Sequence, residues 1–299
     1  MKALLIRVAV DMTGTERKEP FWTAFRPAYP NGGFRGPVWK DGRFEYIPVP
    51  EIKTNGKKAK DYLKSDNDEP TYGNSQGDRL TVLLTKWIPK SKRISFENIA
   101  IHHDPDFKEC TYGDVYTSKG QQCAKLGPGD LIVFCASLNY VDKEDDHGLF
   151  IIGYFTVKEV HPFRDKKFRN RSWREKIVTR YWDKNAHFSK SFARGWKWEP
   201  REEMRSWYLK KKEDNLILVI GKDSGRCSGL LKKAIPITER CNRKYFYVKK
   251  DLSKRLGLGR QPNYKHLFER GARLIENEEC IKELRKLLKK GGGFHQPVA

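Results

Sequence analysis

The sequence has no apolar run of the ~18–20 residues needed to cross a membrane as a helix, because Lys, Arg or Asp interrupts its longest apolar stretches. Paired cysteines are also missing. Cys110, Cys123, Cys135, Cys227, Cys241 and Cys280 are widely spaced with no Cys-x-x-Cys, which excludes a disulfide-stapled scaffold and a zinc ribbon. Negative charge is scarce: 38 Asp and Glu stand against 60 Lys and Arg, for a formal net charge of +22. There is no internal repeat and no long low-complexity linker. Gly221–Arg226 lacks the Gly-x-x-x-x-Gly-Lys-Ser/Thr spacing of an ATPase phosphate loop. At the start, Lys2 precedes apolar residues, but Arg7 splits that run and no small-residue cleavage site follows. This segment therefore reads as the first strand of a cytoplasmic protein.

What is present points to a folded, cationic chain. The 299 residues carry 12% aromatics, including eight Trp, more than a disordered polyelectrolyte holds. The length allows one large domain or two medium ones, and one domain with insertions is preferred. An ion-pair-rich thermophilic surface would raise both charge signs together, so an excess of 22 positive charges points instead to a polyanion, with nucleic acid first.

Residues 2–10 are apolar and β-branched, as in a strand buried on both faces. From Thr13 to Gly42, Pro20, Pro27, Pro30, Asn31-Gly32-Gly33 and Gly36-Pro37 prevent any regular element from persisting. Asp41-Gly42 reads as a hairpin turn, Phe44–Ile47 as a short strand and Arg79–Trp87 as a helix. Gly129–Leu138 and Gly148–Val157 should pair as antiparallel strands across the acidic loop Asp142–Asp146. Leu216–Gly221 reads as a last buried strand and Arg226–Ala234 as a helix. Glu276–Lys290 has Ile281, Leu284, Leu287 and Leu288 on one helical stripe, closed by Gly291-Gly292-Gly293.

Several groups carry potential chemistry. Asp11 stands at a strand end, where loops converge on sites, or it caps the following turn. Glu45 lies between Phe44 and Tyr46, facing either solvent or a pocket that shifts its ionisation. His102-His103-Asp104-Pro105-Asp106 offers an acid/base pair from His103 with Asp104 or Asp106, or a turn held by Asp side chains. No second His/Cys cluster accompanies it, so no metal is expected, and the sequence names no cofactor.

The basic aromatic stretch from Phe163 supplies phosphate-directed charge through Arg171 and Arg174. It supplies stacking surfaces through Trp173, Trp196 and Trp198. Trp173, Ile177, Tyr181 and Trp182 would alternatively form the apolar face of a helix. Asn185 and His187 offer donors and acceptors for a base edge, although Asn185 also suits a helix end. Backbone amides at the start of the expected 226–234 helix, with Lys232 and Lys233, would hold one phosphate.

The strand from Gly129-Asp130 to Ser137, followed by Ile151–Val157, resembles PUA-like domains such as EVE and ASCH. Further segments occur in order: Arg7–Asp11, Asp41–Glu51, His103–Phe107, Thr111–Asp114 and Leu230–Ile237. Together they resemble the nucleotide modification-associated domain family, third type, over roughly residues 1–240. The resemblance implies an α+β fold: a PUA-like curved mixed or antiparallel β-sheet, or open barrel, with peripheral helices and long insertions. Residues 1–245 would form that domain and 246–299 a C-terminal helical extension packed on it. It also implies a pocket for a nucleotide or an extruded base of DNA or RNA, with no membrane partner. Ser137, Asn185 and His187 would recognise the base, and Asp11, Glu45, His103, Asp104 and Asp106 would do acid/base work if the base is modified. The alternatives are a non-catalytic reader of modified bases, with Trp196 and Trp198 as its cage, and a nucleotide-sensing regulator.

Overall fold

The computed structural model describes residues 1–8, 36–46, 49–51, 100–102, 105–115, 118–143, 146–164, 170–181, 185, 216–223, 225–241, 246–260 and 272–295. The chain begins with β1 (Ala3–Arg7), β2 (Gly36–Val38), β3 (Val49–Glu51), β4 (Ala100–His102), β5 (Thr111–Val115) and α1 (Ser118–Cys123). There follow β6 (Leu131–Tyr140), β7 (His147–Pro162), α2 (Arg171–Tyr181), β8 (Leu216–Gly221) and β9 (Ser228–Pro236). The described chain ends with β10 (Thr238–Arg240), β11 (Phe246–Val248), α3 (Lys250–Arg255), β12 (Ala272–Ile275) and α4 (Glu278–Lys289).

The expected antiparallel pair is the centre of the molecule. β6 and β7 pair from Leu131↔Thr156 to Asn139↔His147, with a register shift at Phe134/Cys135. Around them an eight-stranded sheet runs β12-β1-β6-β7-β8-β5, with β2 also beside β6 and β9 beside β7. Most pairings are antiparallel; β1 and β2 lie parallel to β6. The architecture is mixed α+β, with a sheet that does not close. A single hydrogen bond from Ala234 N to Gly42 O (2.8 Å) ties the hairpin after β2 to β9.

Strand alternation sorts the side chains into two cores. Leu4, Ile6, Ile132, Phe134, Phe150 and Phe155 face one way, where Phe134 meets Phe155 edge-on at 4.6 Å and Phe107 meets Phe134 at 5.4 Å. The Phe107 ring lies against Gly153, where a Cβ would come within 2.5 Å of it and within 2.7 Å of Gly229 O. Ala3, Leu5, Leu131, Val133, Cys135 and Ile151 face the other way, beneath α3 and α4. The α4 stripe read from the sequence, Ile281, Leu284, Leu287 and Leu288, is buried there. Each of these side chains contributes about 1.5–3 kcal/mol of burial. Asn277 caps α4, accepting from Cys280 N at 3.0 Å. Asp130 locks the entry to β6 by accepting from Lys2 N (2.6 Å) and Gly127 N (2.9 Å).

Two sequence expectations are corrected. Residues 226–234 are not helical: Ser228–Pro236 is β9, and β8 is followed by four further strands. The region after residue 245 is not only helical, since β11 pairs β10 and β12 pairs β1 at the edge of the large sheet. The helix expected at Arg79–Trp87 lies outside the described residues. Among the described residues, no helix is long and apolar enough to cross a membrane.

Candidate functional site

β1 and β2 occupy the same edge of β6, one after the other. β1 ends at Arg7 opposite Cys135, with Val8 N still donating to Cys135 O (2.8 Å), and β2 begins at Gly36 opposite Leu138. The chain therefore leaves this edge after Val8 and returns to it two residues further along β6. At this interruption the Arg7 guanidinium donates to Ser137 Oγ at 3.4 Å, and Ser137 is buried.

The hairpin after β2 delivers the third group. Trp39 N donates to Arg43 O and Glu45 N to Pro37 O, with Gly42 at φ +86° in the turn, as the Asp41-Gly42 pair predicts. Phe44 and Tyr46 belong to the first core, so alternation sends the intervening Glu45 toward the opposite face. That is the face of Arg7, Cys135 and Ser137, given that Leu5 and Val133 belong to the second core. Glu45 is only 2% exposed. A carboxylate at that depth needs cationic or hydrogen-bonding company. Burial pushes the Cys135 thiol far above its ordinary range, against the opposing pull of Arg7, so Cys135 is inert as a nucleophile. This face therefore carries a buried carboxylate acceptor and, at the interruption, a guanidinium and a hydroxyl in contact with each other.

A second polar group lies beyond the other end of β7. From Leu149, opposite Ser137, to His161 the strand covers a contour of roughly 40 Å. Here α2 packs by the spacing read from the sequence: Ile177 and Tyr181 are buried, and Trp173 is half-buried at 5.3 Å from the His161 ring and 5.5 Å from Phe163. Asn170 caps the helix through Ser172 N (2.9 Å) and Trp173 N (3.3 Å). Arg174 is fully buried, donates to Phe163 O at 2.9 Å and sits over the Phe163 ring at 5.5 Å. Its side chain is therefore spent inside the fold. Asn185, also buried, donates to Thr111 Oγ1 at 3.1 Å on edge strand β5.

The remaining sequence candidates fall elsewhere. Asp106 accepts from Lys108 N and Glu109 N, both at 2.9 Å, holding the turn as its alternative reading expects. Arg171 is the first residue of α2. Lys232 and Lys233 are exposed on β9, so the helix-start phosphate grip drawn for them has no helix to stand on. Asp11, His103, Asp104, His187, Trp196 and Trp198 lie outside the described residues. The structure thus puts Glu45 and Ser137 on one face of the sheet, Trp173 and Arg174 together on α2 against Phe163, and Asn185 apart on Thr111. Among the described residues no group of three His, Cys, Asp or Glu side chains is arranged to hold a metal.

Sequence reading missed Arg7 as a site residue and missed the Glu159–His161 pair, whose Oε2 and Nε2 stand 3.0 Å apart. Burial holds the His161 imidazole below its ordinary value, against the raising effect of Glu159. Spacing does carry that signal, since two residues apart on a strand share a face.

These features define an α+β protein built on one open, mostly antiparallel sheet, with a guanidinium and a hydroxyl paired where the sheet edge is interrupted and a buried carboxylate on the same face. The chain belongs to the family called nucleotide modification associated domain 3, whose model matches residues 29–266. Glu45, Ser137 and α2 lie inside the matched span; β1, with Arg7, and the β12–α4 unit lie outside it. No curated protein and no solved structure matches the chain.

Proposed function

We propose that this protein binds a nucleobase, presented as a nucleotide or as an extruded base of DNA or RNA, in a PUA-like pocket at the β1–β2 interruption, and takes part in the base's modification. The observation that carries this reading is the Glu45 carboxylate, 2% exposed, on the same face of the sheet as the paired Arg7 and Ser137. Membership of a nucleotide modification associated family and the formal charge of +22 support a nucleotide or nucleic-acid ligand. In this reading Glu45 accepts a base N–H, and Arg7 and Ser137 donate to a base oxygen. Nucleic-acid contact by Arg171 and Trp173 would come from the far end of β7.

Binding of labelled oligonucleotides that differ only in one abasic position tests this site. Glu45→Gln should keep the thermal midpoint within a few degrees while reducing the preference for the intact base about ten-fold, the ~1–3 kcal/mol of one buried charge-assisted hydrogen bond. An unchanged preference would remove Glu45 from base recognition. Nucleoside mass spectrometry of cells with and without the gene tests modification: loss of one modified nucleoside is expected, and identical profiles would reduce the role to reading.

A further inference from the structure

β9 breaks the rule of alternation at one place. Leu230 pairs Gly153 and Ile235 pairs Ile151, so residues 231–234 stand opposite Ile152 alone. This wide bulge turns Lys232 and Lys233 outward together, where a regular strand would send one of them inward. The bulge is held from outside the sheet. Lys232 N donates to Gly293 O and Lys233 N to Gly291 O, both at 3.0 Å, and Ala234 N donates to Gly42 O. The turn that holds it immediately follows Lys289 and Lys290 at the end of α4, and a Cβ on Gly292 would lie 3.9 Å from Lys232 Cβ.

Charge is segregated along α4. Glu278, Glu279 and Glu283 occupy its first half, where Glu279 and Glu283 pair with Lys282 and Lys286. Arg285, Lys289 and Lys290 occupy the other half, exposed, and among the described residues neither they nor Lys232 and Lys233 have an ion pair. Lys233 bears on the Asp41 carboxylate, which is already bonded to Arg43 at 2.6 Å. Burial raises the Tyr154 phenol on β7, which pairs Gly229 of β9, and Arg285 opposes that shift. Arg285 and Lys289 also line a shallow groove of about 690 Å³ along α4, with Lys282 and Lys286 beside them and Glu278 and Glu279 at its N-terminal end. The negative end of a helix dipole accounts for cations on the last turn of α4, but not for two lysines projected from a strand by a bulge. An ion-pair surface would place carboxylates among them.

We infer that the β9 bulge and the second half of α4 form a docking surface for the phosphodiester backbone of a nucleic acid, made of Lys232, Lys233, Arg285, Lys289 and Lys290. This rests on DNA or RNA being the ligand, and adds a backbone contact that lies partly outside the family domain. Such a surface holds phosphates without reading sequence, leaving discrimination to the base site.

The test is fluorescence anisotropy of a mixed-sequence single-stranded 20-mer between about 50 and 300 mM salt. It compares wild type, the quadruple Lys232→Gln/Lys233→Gln/Lys289→Gln/Lys290→Gln, and a control of equal charge loss, Lys108→Gln/Lys125→Gln/Lys250→Gln/Lys254→Gln. With a slope of about −0.7 per phosphate contact on a single strand, the patch variant should bind with a log K–log salt slope shallower by about 2–3, and the control by far less. Equal slopes for the two variants would overturn the surface while leaving the base site standing. Wild type binding nucleoside monophosphates but no 20-mer would do the same, and binding neither would overturn both proposals. Competition by polyglutamate as effective as by nucleic acid of equal charge would assign the surface to an acidic protein and reject the inference.

Discussion

Arg174 separates contact with nucleic acid from support of the fold. Its guanidinium donates to Phe163 O at 2.9 Å and covers the Phe163 ring, and the residue is fully buried. Arg174→Met keeps most of the buried stem but removes the charged donor and leaves the carbonyl short of a partner. A hydrogen bond to a charged group is worth about 1.5–3 kcal/mol and the ring contact adds about 0.5–1 kcal/mol, so a loss of about 2–4 kcal/mol is expected. Arg174→Ala also removes the stem and should cost more, by the cavity it leaves. For a chain of this size the Met variant should melt about 5–10 °C lower. Urea unfolding measures the loss, and salt-dependent oligonucleotide binding measures the contact. A stability within about 0.5 kcal/mol of wild type, together with a salt slope shallower by about 0.7, would show that Arg174 faces phosphate in solution and would refute its buried role.

Two further outcomes follow from the core. His161 is held below its ordinary value of 6.5 by burial, with Arg180 acting the same way and Glu159 opposing. The unfolded chain therefore takes up a proton first. Stability should be full above about pH 6.5 and fall as the pH drops through it, with His295 adding the same sign. Urea midpoints at pH 5 to 8 should show a weaker acid loss for His161→Gln, and an identical profile would remove His161 as a source. At Gly153, an added Cβ would come within 2.5 Å of the Phe107 ring, so Gly153→Ala should lose about 1–3 kcal/mol and Phe107→Leu should restore part of it. Wild-type stability for Gly153→Ala would show that the ring and the Gly229 carbonyl both give way freely.

The sequence was readable wherever one period ran without interruption. The β6 and β7 runs are too apolar for any element facing water, and the acidic loop between them leaves a hairpin as the short connection. α4 repeats its stripe at 281, 284, 287 and 288, and α2 places Ile177 and Tyr181 one turn apart, so both helices pack as their spacing requires. β9 was misread for a definite reason. Leu230-Leu231, Lys232-Lys233 and Ala234-Ile235 alternate in twos, the near-four period of a helix, and a bulge in a strand produces the same pattern. Arg174 reads as one more cation in a basic run, because what buries it is the carbonyl of Phe163, eleven residues away. Glu45 was marked by its aromatic neighbours, but the Arg7–Ser137 pair on the same face was not, because it arises only through the parallel pairing of β1 with β6, which local patterns do not encode.

The pairing at the sheet edge also governs how the molecule is made. Ala3–Arg7 takes one neighbour from residues 131–135 and the other from residues 272–275, which are made far later in the chain. At about 5–20 residues per second, the segment up to residue 272 takes roughly 15–50 s to synthesise, during which one flank of an apolar strand has no mate. Nascent chains should therefore depend on chaperones through that interval.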